Sequence, residues 1–212
     1  VENLRKAFRQ RIAGLKWMSA ATKKEAYKKL DTFNPKIGYP NKWKDYSTLE
    51  IVAGDAYGNS KRVSIWENAD EVSRLNKPTD KDEWFMSPQT VNAYYNPAYN
   101  EIVFPAAILQ PPFFDENADA AVNYGAIGGV IGHEMGHGFD DQGAKYDYKG
   151  VLRDWWKKSD VKAFNALGNK MVEQYGNFEA LPGVKLNGKL TLGENIGDHC
   201  GVTMGMVAYK LS

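Results

Sequence analysis

The sequence has very little cysteine, since Cys200 is the only one among 212 residues. An internal disulfide is therefore excluded, and with it the cross-linked framework of small secreted scaffolds. A chain of this length can nevertheless bury a substantial core without such help. The lack of disulfides does not exclude a protein that a bacterium exports.

An excess of charge of either sign is also absent. The chain carries 27 Lys and Arg against 26 Asp and Glu, a net charge of +1. This balance gives no reason to expect nucleic acid or an anionic membrane surface as a partner. No apolar run approaches the length that spans a bilayer, and the N-terminal residues lack the apolar segment of a signal peptide. We expect no membrane contact within this segment.

The ends of the chain have the character of a fragment. It begins with Val1 rather than Met, inside one amphipathic pattern, and stops just after another. We therefore expect an excised part of a longer protein. No internal repeat, low-complexity tract or long linker divides the sequence, so one continuous domain is the simplest interpretation.

Apolar residues at steps of three and four predict helix along much of the chain. Thr22 and Glu25 have capping-box spacing, which predicts the start of a second helix. The helix predicted from Ala118 is rich in glycine, which indicates close packing against neighbouring backbone. The predicted helices cover Leu4–Leu15, Thr22–Leu30, Ser64–Leu75, Ala118–Phe139, Val161–Tyr175 and Thr191 to almost Ser212.

Extended structure is predicted in fewer places. Residues 90–95 and 101–104 contain β-branched and aromatic side chains on either side of a turn-like segment, which predicts a hairpin. We interpret residues 34–60 as a long surface excursion in which only Leu49–Val52 suits a strand. Leu186–Leu190 contains Asn-Gly, which is typical of a hairpin turn.

The glycine-rich helix carries His133-Glu134-Met135-Gly136-His137, which matches the pattern His-Glu-x-x-His. Positions four apart lie on one helical face, so two imidazoles can point at one metal ion while Glu134 projects beside them. Histidines that only form local hydrogen bonds, and a glutamate that only stabilises the helix, are the alternatives. An unpaired carboxylate among apolar and glycine residues is costly to bury, which disfavours the second alternative. The motif predicts the core of a zinc hydrolase.

A catalytic zinc needs a third protein ligand and an open position for water. Glu194 and Asp198 lie four residues apart in the last predicted helix, so Glu194 can ligate while Asp198 accepts a hydrogen bond from a liganding histidine. Thr191 and Glu194 also have capping-box spacing, and the residues alone leave that alternative open. His199 is the only other histidine, and a histidine by itself is more often a surface or core residue than a ligand.

Short motifs extend along the whole chain in a fixed order. They are Trp17–Pro40, Val91–Tyr95, Ile102–Ala106, Ile108–Phe114, Val130–Asp141, Asp154–Trp156, Tyr175–Phe178 and Leu192–Asp198. Together these segments resemble the neprilysin and endothelin-converting-enzyme family of zinc endopeptidases, and within it the bacterial PepO-type oligopeptidases.

The resemblance implies a fold. It is an α+β, mainly helical, zincin-like (gluzincin) catalytic domain, with a small sheet beside the His-Glu-x-x-His helix and incomplete at its C-terminus. Within this single catalytic-domain fragment, residues 1–80 are expected to form a mainly helical lead-in. Residues 81–212 are expected to form the core of the zinc site.

The resemblance also implies a metal centre. His133, His137 and Glu194 are expected to bind one Zn²⁺ per chain. Glu134 is expected to act as the general base, and Asp198 to orient a liganding histidine. Glu194 thereby moves from an open alternative to the expected third ligand.

A peptide-binding surface follows from the same resemblance. Asn92 and Ala93 are expected to bind the substrate backbone by extending a sheet, which fits the predicted hairpin. Ile108, Phe113 and Val130 are expected to line the pocket for the apolar side chain that follows the scissile bond. For these three the residues alone favour an ordinary role in the core.

Two departures limit what can be carried over. Family members continue past Ser212, and that part supplies a histidine and an arginine that stabilise the tetrahedral intermediate and orient substrate. His199 is not that histidine, because it directly follows Asp198. Cys200 stands where the family usually has glycine and is a possible stray zinc ligand. We expect the rest of the parent chain to complete the site, and the fragment alone to be weakly active or inactive.

The sequence thus predicts a zinc-dependent endopeptidase that cleaves oligopeptides on the amino side of apolar residues. A non-catalytic metal-binding fragment and a pure peptide-binding module are the alternatives from other classes. A thermolysin-like peptidase shares the ligand set but places its glutamate closer to the histidines than the 194 − 137 = 57 residues found here. The expected location is the bacterial cell envelope or the exterior, with the cytoplasm as the alternative.

Overall fold

The computed structural model describes all 212 residues, Val1–Ser212. It is mainly helical with a small sheet, as predicted, and two 3-10 turns, Ala106–Ile108 and Gly143–Lys145, connect longer elements. None of its helices combines the length and apolarity needed to cross a bilayer. The helices are α1 (Glu2–Gly14), α2 (Ala20–Asp31), α3 (Ala56–Ser73), α4 (Ala120–Gly125), α5 (Ile127–His137), α6 (Lys158–Gly176) and α7 (Leu192–Lys210). The strands are β1 (Asn34–Gly38), β2 (Tyr94–Asn96), β3 (Glu101–Pro105), β4 (Glu179–Leu181) and β5 (Val184–Lys185).

The start of α2 differs from the prediction. Ser19 is the N-cap, and its hydroxyl accepts a hydrogen bond from the backbone N–H of Thr22. Thr22 itself is fully buried inside the helix, so the predicted capping box at this residue was wrong. Asp160 of α6 holds Ser19 in place, because its Oδ2 accepts hydrogen bonds from the N–H and O–H of Ser19 at 3.1 and 2.6 Å.

A three-stranded sheet with the order β1-β3-β2 lies in the core. β2 and β3 pair antiparallel and confirm the predicted hairpin. β1 pairs with β3 in parallel and was missed, because residues 34–60 were interpreted as a surface excursion. Proline is tolerated in an edge strand, and β1 is one of the two edges. β2 is the other edge, and β3 between them is buried along its whole length.

Backbone contacts divide the chain into two compact units, Val1–Tyr39 with Met86–Ser212, and Pro40–Phe85. These boundaries differ from the division predicted at residue 80, and the single-domain organisation stays a prediction. Within the smaller unit, α3 begins at Ala56 rather than at the predicted Ser64. The strand predicted near Val52 does not form, because the backbone N–H and C=O of Val52 bond to the side-chain amide of Asn59.

The glycine-rich helix predicted over 118–139 is two helices, α4 and α5, that meet at Ala126. The break occurs because the backbone N–H of Ile127 leaves the helical pattern and donates to the carbonyl of Phe113 at 2.9 Å. This bond ties the start of α5 to the loop that follows β3. The second helix, which carries both histidines, therefore has its own anchor at its start.

α5 packs on α7 with backbone almost in contact with backbone. A Cβ atom at Gly132 would lie 2.9 Å from the Cα of Gly201, and one at Gly136 would lie 3.3 Å from the Cα of Gly197. Larger side chains at these positions would push the helices apart. The predicted close packing of the glycine-rich helix is therefore confirmed, and its partner is the last helix of the chain.

The hairpin turn predicted at Leu186–Leu190 was wrong. The hairpin in this region joins β4 to β5 and turns at Gly183, whose φ of 78° suits glycine. Gly188 serves another purpose, because a Cβ atom there would collide with the carbonyl oxygen of Val172 on α6. The Asn-Gly pair thus marks a close approach of two segments rather than a hairpin.

Candidate metal centre and active site

α5 presents the two histidines of the motif on one face. Their ring centroids lie 4.5 Å apart with the planes at 88°. Each Nδ1 has its own carboxylate partner: Asp198 Oδ1 lies 2.7 Å from His133 Nδ1, and Asp140 Oδ2 lies 2.8 Å from His137 Nδ1. Because ionised carboxylates only accept hydrogen bonds, both partners favour the tautomer with the proton on Nδ1. The Nε2 lone pairs then remain available for a metal.

Glu194 lies in the first turn of α7 and faces both rings. Its Oε2 is 3.3 Å from His133 Nε2 and 3.8 Å from His137 Nε2. The capping alternative fails, because Thr191 makes no side-chain cap with this helix. The hydroxyl of Thr191 instead donates to the carbonyl of Asn187 at 3.3 Å and accepts from the side-chain amide of Asn195 at 3.0 Å.

The donor atoms of His133, His137 and Glu194 all lie within 4.8 Å of one another. Two imidazole nitrogens and a carboxylate oxygen are a donor set that zinc prefers, and three protein ligands leave a position for water. The hydrogen bonds on the outer side of both rings hold the inner nitrogens toward that point. The residues present therefore fit a zinc ion.

Glu134 is buried beside these donors, with only 6% of its surface exposed. Burial raises the pKa of its carboxyl group, and the charge of Glu194 adds to the rise, whereas His137, His133 and the backbone of Tyr95 oppose it. A carboxylate with a raised pKa accepts a proton more readily than an exposed carboxylate does. That is the property required of a general base.

The sequence prediction missed Asp140, which is 5% exposed and holds the ring of His137. Burial by itself lowers the pKa of His137, but the hydrogen bond to Asp140 and the charges of Glu134, Asp140 and Glu194 outweigh it and raise that pKa. The spacing His137-x-x-Asp140 was visible in the sequence. It was overlooked because only the downstream Asp198 was considered as a histidine partner.

A cleft of about 540 Å³ opens beside His133. Its walls include four of the five residues expected to contact substrate, namely Asn92, Ile108, Phe113 and Val130. Val91, Val202 and the break between α4 and α5 also line it and were not predicted. The cleft therefore combines apolar walls with the carboxylates of Glu134, Glu194 and Asp198.

Asn92 and Ala93 lie just before β2 rather than within it, which corrects the predicted strand. The local reason is a turn: the N–H of Asn92 donates to the carbonyl of Thr90 at 3.0 Å. The side-chain oxygen of Asn92 then accepts the N–H of Ala93 at 2.9 Å. Ala93 is 5% exposed and belongs to the core.

His199 and Cys200 take no part in the cluster of donor atoms. His199 is exposed on α7. Cys200 lies in the α5–α7 interface, since a Cβ atom at Gly136 would be 3.5 Å from its Sγ. Burial raises the pKa of the thiol to about 11, so at neutral pH it is protonated and a poor metal ligand.

Comparison with known proteins agrees with this geometry. Residues 92–212 match the model of peptidase family M13, and residues 1–40 match a second model with the same description. Endothelin-converting enzyme 1 from Bos taurus is 44% identical over 98% of this chain, which spans 28% of that enzyme.

Solved structures give the same result. Zinc metalloprotease Zmp1 from Mycobacterium tuberculosis, solved with an inhibitor, is 53% identical with a TM-score of 0.95 over 99% of this chain and 33% of its own. PepO from Lactobacillus rhamnosis is 36% identical with a TM-score of 0.90 over 97% of this chain and 33% of its own. The chain thus spans about a third or less of each of these relatives. From the match over its residues 92–212, the chain belongs to peptidase family M13.

Proposed function

We propose that the protein containing this chain is a zinc-dependent endopeptidase that hydrolyses oligopeptides. His133, His137 and Glu194 hold one zinc ion per chain, and Asp198 orients His133. The observation that carries the proposal is the convergence of these three donors, within 4.8 Å, beside the buried carboxylate of Glu134. Membership of a family that includes a zinc metalloprotease supports it.

Glu134 is the proton carrier in the proposed reaction. Zinc, when bound, supplies the Lewis acidity that polarises the scissile carbonyl and acidifies water. Glu134 takes a proton from the attacking water and passes it to the leaving amine, so that the C–O bond forms and the C–N bond breaks without net proton uptake. Asp198 and Asp140 keep the Nδ1 protons on His133 and His137 throughout.

The cleft is the proposed place for the substrate. Ile108, Phe113 and Val130 give it an apolar wall, which favours cleavage on the amino side of apolar residues. β2 is a sheet edge, and extended peptides bind to such edges through main-chain hydrogen bonds. We propose that Asn92 and Ala93, which directly precede this edge strand, take part in that binding.

The activity belongs to the longer protein in this proposal. This chain spans 28% of endothelin-converting enzyme 1 and 33% of Zmp1. We propose that the rest of the parent chain supplies donors for the tetrahedral intermediate, so that the fragment alone is weakly active or inactive. We propose a bacterial envelope or exported location, with the cytoplasm as the alternative. Two of the relatives, Zmp1 and PepO, are from bacteria.

The test uses Glu134→Gln, which keeps size and hydrogen bonding but removes the base. In the longer protein we expect about a hundredfold to ten-thousandfold loss of hydrolysis of a quenched peptide, with one zinc retained per chain. Glu173→Gln, at an exposed position of α6, is the matched control. Wild-type activity in Glu134→Gln would exclude this residue as the base. Zinc without hydrolysis in the wild-type longer protein would support the non-catalytic metal-binding alternative.

A further inference from the structure

Lys29, on α2, is completely buried, which is rare for lysine. Its Nζ donates hydrogen bonds to the carbonyl oxygens of Gly143 at 2.6 Å and Tyr146 at 2.7 Å. Aromatic rings surround it, with centroids between 5.7 and 5.9 Å from Nζ, and these are Tyr95, Phe139 and Trp155. None of the roles proposed above uses this residue.

The two carbonyls belong to the turn that follows α5. At the start of the turn, the N–H groups of Gln142 and Gly143 donate to Asp140 Oδ1 at 2.9 and 2.6 Å. Gly143 also packs directly on the end of α5, because a Cβ atom there would collide with the carbonyl oxygen of His137. The turn and the carboxylate of Asp140 therefore form one unit, and Lys29 ties that unit to α2.

The other oxygen of Asp140 completes the connection, since Oδ2 lies 2.8 Å from His137 Nδ1. We propose that Lys29 is a positioning residue for the metal centre: it anchors the turn at Gly143, thereby places Asp140, and through Asp140 fixes the ring of His137. This inference rests on the proposed metal site. It adds a residue that lies on another helix and contacts none of the proposed ligands.

A lysine suits this position better than an apolar residue of similar length. The carbonyl of Gly143 also accepts the N–H of Tyr146 at 3.0 Å, whereas the carbonyl of Tyr146 relies on Lys29 for its donor. Leaving such a buried carbonyl without a donor costs about 1–3 kcal/mol. Burial lowers the pKa of Lys29 to about 7, although the charges of Asp140 and Asp147 oppose the shift. The neutral amine still has two N–H groups for two carbonyls. The anchor therefore holds in either protonation state.

His133 provides an internal comparison within the same centre. Its Nδ1 pairs with Asp198, which lies on α7 and not on the turn that Lys29 holds. Loss of the anchor should therefore disturb His137 and leave His133 unchanged. A general loosening of the fold would disturb both.

The experiment compares wild type, Lys29→Met and Lys24→Met as metal-free chains labelled with ¹⁵N-histidine. The chain contains only three imidazoles, so two-bond ¹H–¹⁵N spectra can report the tautomer of each ring. In Lys29→Met we expect His137 to lose its fixed Nδ1–H tautomer while His133 keeps it. Zinc affinity, measured by competition with a chelating dye, should fall about tenfold to a hundredfold. Lys24→Met, at an exposed position of α2, should change neither quantity.

A wild-type His137 tautomer in Lys29→Met would overturn the proposal, and so would equal changes in both histidines. Lys29→Gln serves as a second variant that folds more readily because it keeps two N–H donors. We expect it to retain the His137 tautomer, and a folded Lys29→Gln chain with a mixed tautomer would contradict the anchoring role. Failure of the wild-type chain to bind zinc would count against the proposed function, while the tautomer comparison would still decide the role of Lys29.

Discussion

The imidazole of His133 lies directly against Gly197 on the facing helix. A Cβ atom at position 197 would be 2.9 Å from both Cε1 and Nδ1 of the ring. Glycine here allows α7 to approach so closely that Glu194 and Asp198, three residues before it and one after it, reach the same ring from two sides. The metal centre thus depends on a residue that has no side chain.

Gly197→Ala should therefore damage the centre although alanine favours helix. The added methyl group is fixed to the backbone of α7, which packs closely on α5. His133 must therefore turn, or the two helices must separate. We expect at least a tenfold loss of zinc affinity in a dye-competition assay. Gly168→Ala on α6 is the matched control, since its Cβ atom would make only ordinary contacts of 3.5 Å with Leu192. Equal zinc affinity in the two variants would contradict this account.

Asp140→Asn should be more harmful than its small change in size suggests. The asparagine oxygen can still accept the N–H groups of Gln142 and Gly143, which then turns its NH₂ group toward His137 Nδ1. That arrangement forces the proton of His137 onto Nε2, where a ligand needs a lone pair. Zinc affinity should fall about tenfold to a hundredfold.

Asp198→Asn provides the comparison for the other histidine. It should lower zinc affinity in a similar range through His133. Asp140 and Asp198 act on different rings, so the double variant should lose more zinc affinity than either single variant. Because both rings face the same donor cluster, the deviation from the product of the two fold-losses measures their coupling. Zinc affinity of the double variant equal to that of either single variant would show that the two carboxylates act as one unit.

Each helix sets the spacing of the candidate metal-site residues that it carries, so the sequence could point to them as two pairs, although the residues alone left the role of Glu194 open. His133, His137 and the pair Glu194 and Asp198 obey steps of four, and a helix turns such steps into a common face. Spacing alone could not predict that α5 packs against α7. Glycines in the two helices indicated close packing, but not which segment was the partner.

Several of the elements that were predicted wrongly depend on distant contacts. Ser19 caps α2 because Asp160 holds it from a helix far along the chain. The break at Ala126 exists because Phe113 accepts the N–H of Ile127. Lys29 was missed for the same reason, since its role appears only when the turn after α5 meets α2.

Cys200→Ser should leave zinc stoichiometry unchanged, because the thiol lies in the α5–α7 interface and is absent from the donor cluster. Since burial raises its pKa to about 11, the wild-type thiol should react slowly with a disulfide reagent at pH 8 and rapidly after denaturation. Atomic absorption measures the zinc content and so checks the first expectation, and the rate of thiol labelling checks the second. Loss of zinc in Cys200→Ser would instead make the cysteine a ligand.

The buried amine of Lys29 should contribute to the pH dependence of the free energy of unfolding. Its pKa falls from 10.5 to about 7 on folding, because burial disfavours the charged form. The charges of Asp140 and Asp147 offset this effect only in part. Between these two values the unfolded chain binds more protons at this position than the folded chain. The free energy of unfolding should therefore rise with pH from about 7 toward 10.5, by at most about 1.4 kcal/mol per pH unit for one proton.

Lys29→Met isolates this contribution, because all other titrating groups are shared with wild type. Urea unfolding of both metal-free chains at several pH values between 7 and 10 should show wild type gaining stability relative to Lys29→Met as the pH rises. The absolute stability of the variant does not matter, since only the slopes are compared. Parallel curves over this range would mean that Lys29 titrates alike in both states, and that burial of its amine is incomplete in solution.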